Sequence, residues 1–110
     1  MEPAKEQSLS AALDALWTRF QPEMLERVST LEEAAAAFMA NQISPAQHEA
    51  AHADAHKLAG ALGMFGLTQG TVLARELEQT FARENGPDPA LCTRVVQMTA
   101  ELRAMIESRS

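Results

Sequence analysis

The 110-residue sequence predicts an all-α protein, an antiparallel four-helix bundle with an additional short helix at its N-terminus. Three observations carry that expectation. There is no Tyr, one Trp and four Phe, and the chain is rich in the Ala, Leu, Glu and Met that favour helix and poor in the β-branched and aromatic residues that favour sheet. Apolar residues recur at spacings of three and four. Cap residues and glycines punctuate the chain at intervals that leave connections of roughly 3 to 6 residues, short enough to make successive helices antiparallel neighbours. The length and the 46% hydrophobic content fit one folded domain over 1–110 with one core.

Residues 1–7 read as a loose polar tail. Leu9, Leu13, Leu16, Trp17 and Phe20 then mark a short amphipathic helix with Ser8 or Ser10 as its cap; Leu13, Trp17 and Phe20 read as core, the alternative being that part of this stripe is left available to a partner. Pro22 cannot donate to residue 18 and is expected to break or restart the helix there. Met24, Val28, Leu31, Ala35 and Phe38 carry a second helix that ends near Asn41. Ser44, Pro45 and Gln47 form a capping box with proline at the first helical position, opening a third helix that runs to about Phe65, where Gly66 suits the left-handed position after the end. Thr68 is placed to cap a fourth helix with the stripe Leu73, Leu77 and Phe81, stopped by Asn85-Gly86-Pro87. Asp88-Pro89 repeats the cap-and-proline start, and Leu91, Val95, Met98, Leu102 and Met105 carry the last stripe.

The same residues exclude several classes. No apolar run approaches the ~20 residues needed to span a bilayer, and Met1-Glu2-Pro3 does not begin a signal peptide, so the expected location is the cytoplasm. A net charge of −6 without a basic cluster argues against a nucleic-acid surface. The lone Cys92 rules out an internal disulfide and reads as a packing residue.

The stretch that stands out is Ala55 to Leu67. On a helical wheel Ala51, Ala55, Leu58, Leu62 and Phe65 fall opposite His56, so His56 points to solvent. Gly60 lies one turn on and Gly63 two turns on, with Ala53 and Ala59 to the sides. Two helical glycines cost roughly 1 kcal/mol each relative to Ala, and on an outward face they gain no core packing. Their expected use is clearance for a concave partner that closes over one exposed imidazole.

His56, Gly60, Phe65 and Gly66 resemble the phosphoacceptor motif of the histidine-containing phosphotransfer (HPt) domains of two-component signalling. The resemblance is strongest over residues 51–81. It implies that His56 takes a phosphoryl group from a receiver-domain aspartate or a histidine kinase and hands it to a response regulator. The chain itself then needs no cofactor and no ATP site, Mg²⁺ belongs to the partner receiver, and a monomer is the simplest state. An ordinary imidazole is mostly neutral near pH 7, so the chemistry asks for the correct tautomer more than for activation. In relatives of this fold a Glu or Gln on the following helix holds one ring nitrogen. An ungapped comparison puts that group at Glu78, with Arg75 almost a turn earlier and Gln79 as the competing candidate. The alternative for Glu78 is a solvated carboxylate or an i, i+3 partner of Arg75. One departure is Ala59, where the family usually has a lysine. Lys57 is the nearest cation in sequence but lies about 100° around the helix from His56.

Two other readings compete. A helical module that docks on a receiver without being phosphorylated fits the loss of that lysine. His48, His52 and His56 also form a ladder at i, i+4 and i+8, and His48-Glu49-Ala50-Ala51-His52 spells the zinc-peptidase string. Three ligands in a row on one straight helix cannot readily surround an ion, which makes a zinc hydrolase the remote third.

Overall fold

The structure, a computed structural model, describes residues 3–82 and 88–109. It contains four helices, α1 (Pro3–Met39), α2 (Pro45–Met64), α3 (Thr68–Ala82) and α4 (Pro89–Ser108), and no strand among the described residues. Each helix packs on its neighbours in a ring, α1 on α2, α2 on α3, α3 on α4 and α4 on α1, with α2 and α3 in the most extensive contact. The start of α1 meets the end of α4, where Trp17 Nε1 donates to the Arg109 carbonyl at 3.1 Å and Gln21 Nε2 to that of Ile106 at 2.8 Å. The stripes expected from spacing form the core: Val28, Leu31, Leu58, Leu62, Leu77, Val95, Met98 and Leu102 are fully buried.

The N-terminal half differs from the sequence expectation. There is no separate short helix, because α1 continues through Pro22 as a single element of 37 residues. Trp17 and Gln21 before the proline, and Met24 and Val28 after it, are anchored to the same bundle, which outweighs one missing intrahelical hydrogen bond. Thr18 and Pro22 are both exposed, so the carbonyl left without a donor is open to water. The helix begins at Pro3, inside the segment expected as a loose tail over 1–7; residues 1 and 2 lie outside the described residues. The apolar stripe ahead of Pro22 is also not core. Leu9, Leu13, Leu16 and Phe20 are exposed, and of that set Trp17 alone is buried. At 1.5 Å per residue α1 is about 55 Å long against about 30 Å for α2 or α4, more than those helices can cover, and Leu9, Leu13 and Leu16 stay exposed. Proline inside a helix costs ~3 kcal/mol relative to Ala. Pro22→Ala is therefore expected to raise the unfolding free energy by about 1–3 kcal/mol in urea titration, and an unchanged midpoint would mean that the helix is already relaxed around the ring.

The connections are closed by local chemistry. Asn41, at φ 54°, ends α1: Gln42 N donates to Ala37 O at 2.8 Å and Asn41 N to Phe38 O at 3.1 Å. Ser44 and Gln47 make the expected reciprocal box before α2, at 2.9 and 3.1 Å. Gly66, at φ 79°, ends α2 in the same way as Asn41 ends α1, with Leu67 N on Leu62 O at 2.9 Å and Gly66 N on Gly63 O at 3.2 Å. Thr68 is the first residue of α3 and not its cap, since the Leu67 carbonyl already accepts from Thr71 N at 3.0 Å. Asp88 caps α4 through Leu91 N at 2.9 Å; the expected stop at Asn85-Gly86-Pro87 lies outside the described residues. Cys92 is buried, as expected of a packing residue.

Ion pairs tie the ring on its outside. Arg103 joins α4 to Glu32 and Ser29 of α1, and Arg94 joins α4 to Glu76 of α3. Hydrogen bonds from these guanidinium groups hold both carboxyls below their ordinary value of 4.5. A depressed folded-state value means that each pair adds stability above that pH and loses it as acid protonates the carboxylate.

Candidate functional site

The site forms where α2 and α3 lie side by side. Ala51, Ala55, Leu58 and Leu62 are buried behind α2 and fix its rotation, which leaves the His56 side chain 72% exposed. Glu78 stands on α3 at the edge of the Leu73-Leu77-Phe81 stripe, its side chain 23% exposed. His56 Nδ1–H donates to Glu78 Oε2 at 2.8 Å. An ionised carboxylate only accepts, so this bond sets the Nδ1–H tautomer and leaves the Nε2 lone pair of a largely exposed ring unengaged.

The histidine ladder divides by environment. His52 Nε2 lies 3.8 Å from the same Glu78 oxygen, too far for a hydrogen bond. His48 is half-buried, donates Nδ1–H to the Phe81 carbonyl at 3.2 Å and packs edge-on to the Phe81 ring. Among the described residues no three His, Cys, Asp or Glu side chains are grouped as a metal site. Asp54 is engaged with Arg27 at 2.8 Å.

An open cleft of about 390 Å³ lies in front of the pair, lined by His52, His56, Ala59, Gly60, Arg75, Glu78, Gln79 and Ala82. It brings together five of the residues singled out in the sequence: His56, Gly60, Arg75, Glu78 and Gln79. Three others are elsewhere. Lys57 lines a separate groove between α1 and α2, with Phe20, Glu23, Met24 and Met64. Gly63 is not a clearance residue for the cleft: a Cβ there would sit 3.3 Å from Thr71 Oγ1, so its role is the close approach of α2 to α3. Gly66 shapes the turn after α2. A Cβ on Gly60, by contrast, would meet nothing within 4 Å. Gln79 lines the cleft, but Glu78 holds the imidazole.

Ala59 was expected beside His56 on the outer face; it is buried, 6% exposed, because α3 covers that side of α2. Its carbonyl accepts from Thr71 Oγ1 at 3.0 Å, a cross-helix bond that the sequence reading missed. The available signal was the pair of small residues four apart, Ala59 and Gly63, which permits close packing of a second helix. Phe65, part of the motif, is buried in an edge-on contact with Trp17 at 5.1 Å, and the Arg109 guanidinium stacks 4.9 Å from Trp17 and 5.6 Å from Phe65.

This arrangement can be compared with known proteins. The sequence model of the Hpt domain matches residues 15–108. Protein RcaC of Microchaete diplosiphon is 41% identical over 73 residues, which cover 66% of this chain and 11% of that protein. The chain thus spans about a tenth of the length of that relative. No solved structure matches. No helix among the described residues is long and apolar enough to cross a membrane. The match extends over both helices that build the His56–Glu78 pair and over most of the bundle around them: the chain belongs to the Hpt domain family, the histidine phosphotransfer modules of two-component signalling.

Proposed function

We propose that the protein is a phosphorelay intermediate in which His56 accepts a phosphoryl group from a receiver-domain aspartate, or from a histidine kinase, and passes it to a response regulator. The observation that carries this reading is an imidazole 72% exposed on a rigid helix, its Nδ1–H held 2.8 Å from Glu78 at the mouth of an open cleft. In the accepting step the Nε2 lone pair attacks phosphorus. The N–P bond forms, the P–O bond to the aspartate breaks, and the electron pair leaves with the aspartate carboxylate. The ring becomes a cation that keeps Nδ1–H directed at Glu78, so positive charge develops beside a carboxylate and no proton has to depart. Passing the group on runs the same atoms in reverse. Positioning does most of this work. The domain acts as a monomer in the cytoplasm, without ATP, nucleic acid or membrane, and the Mg²⁺ for the transfer is bound by the receiver.

The test is incubation with a phosphorylated receiver, followed by acid and alkali treatment. Phosphohistidine is lost in acid and survives alkali, opposite to an acyl phosphate. Failure of the chain to take any label, with binding to the receiver retained, would leave it a docking module, the reading that Ala59 favours. Glu78 gives a separate prediction. Glu78→Ala is expected to shift His56 away from the Nδ1–H tautomer, read by ¹⁵N NMR, and to slow labelling roughly fivefold, the equivalent of about 1 kcal/mol for a charge-assisted bond at a half-exposed site. A parent-like tautomer and rate in that variant would remove Glu78 from the reaction.

A further inference from the structure

We propose that Arg75 is the residue of this chain that binds the phosphoryl group on His56, in place of the lysine that position 59 lacks. The inference rests on the phosphoacceptor reading and goes one step beyond it. A phosphorylated imidazole brings up to about two negative charges into a cleft that already holds the Glu78 carboxylate. The positive charge of the ring is paired with Glu78 through Nδ1–H, so without a second cation the phosphoryl oxygens would have no counter-charge in the site. Among the residues lining the cleft, Arg75 is the one lysine or arginine, whereas Lys57 opens onto the groove between α1 and α2.

Arg75 is also uncommitted. Arg27, Arg94, Arg103 and Arg109 each have a carboxylate partner. Arg75 is exposed and makes no hydrogen bond or ion pair among the described residues, although Glu78 lies one turn further along α3. That carboxylate is turned to His56 instead. A guanidinium left free beside a carboxylate engaged elsewhere is available to an anion.

The helix register explains why residue 75 is suited to the role. His56 meets Glu78 and Gly63 meets Thr71 across the antiparallel pair, which brings residue 75 opposite residue 59. Ala59 is buried and short, and Gly60 beside it has open space where a side chain would be. The cation has moved from α2 to the facing position on α3, and the small residues on α2 leave room for its long side chain. Guanidinium offers two parallel N–H donors to two phosphoryl oxygens, a geometry that lysine cannot reproduce.

The experiment uses the whole chain and potassium phosphoramidate as phosphodonor, so that a receiver's own charges do not enter. Formation of phosphohistidine and the pH titration of its ³¹P resonance are compared in the parent, Arg75→Gln, Arg75→Lys and Lys57→Gln, with circular dichroism as the fold control. Arg75→Gln is expected to slow formation roughly tenfold and to move the phosphoryl titration to higher pH, because a neighbouring cation favours the dianion. Arg75→Lys should fall between, and Lys57→Gln should match the parent. A labelled parent with a parent-like Arg75→Gln in both readouts overturns this inference alone. A slow, shifted Lys57→Gln would assign the role to Lys57. A parent that takes no phosphoryl group sinks the phosphoacceptor reading, and this inference with it.

Discussion

His56→Gln is expected to abolish labelling by a phosphorylated receiver, whereas His48→Gln and His52→Gln keep it. The three rings share one helix and one chemistry, so their surroundings decide. His56 is the most exposed, at 72% against 45% for the His52 side chain, and has the open position of Gly60 one turn ahead. His52 has the His56 ring ahead of it and no hydrogen bond to a carboxylate to fix its tautomer. His48 has committed Nδ1–H to the Phe81 carbonyl and turns its ring to the Phe81 edge. His48→Gln should therefore cost about 1 kcal/mol of stability through that bond while transfer persists. Glutamine keeps a polar side chain of similar length, so loss of label at His56 with unchanged circular dichroism reports chemistry. Acid-labile label surviving in His56→Gln would assign the phosphoryl group to another residue.

Gly60→Leu should leave the bundle folded and reduce transfer from a receiver by roughly 100-fold, about 2.7 kcal/mol in activation free energy. A Cβ at position 60 meets no atom within 4 Å, and leucine is a better helix former than glycine by somewhat under 1 kcal/mol. The thermal midpoint should hold or rise. The added side chain fills the floor of the cleft one turn from His56, where a receiver must approach. Gly63→Leu should behave in the opposite way. Its Cβ lies 3.3 Å from Thr71 Oγ1, so the larger side chain would force α2 and α3 apart and lower the midpoint. Unfolding of Gly60→Leu, or a stable Gly63→Leu, would mean that the two glycines have been assigned to the wrong faces.

These two glycines also mark where the sequence stops being legible. A helical wheel gives each residue an angle relative to the core, and that was enough to bury Leu58, Leu62, Leu73 and Leu77 and to expose His56. It does not say on which flank the next helix lies. Gly60 and Gly63 look alike on the wheel, yet α3 closes over Gly63 and Ala59 and leaves Gly60 open. The same gap explains Lys57 and Arg75. Nearness in sequence favoured Lys57, whereas the pairing of helices puts Arg75 in the cleft. Ser44, Gly66 and Asp88 were legible because their chemistry is local, complete within six residues. Pro22 was misread for the converse reason, since what keeps α1 continuous there is contact with Ile106 and Arg109, far along the chain.

The span of those contacts bears on how the molecule assembles. The bond that makes the site, His56 to Glu78, joins residues 22 apart, whereas Trp17 reaches its partner across 92. Closing a short loop sacrifices less chain entropy than closing a long one, and local pairings form sooner. The α2–α3 hairpin is therefore expected to take shape early in folding, and the seam between α1 and α4 to zip up last. Changes along that late seam should then alter how long the domain stays folded and leave the reach between imidazole and carboxylate as it was.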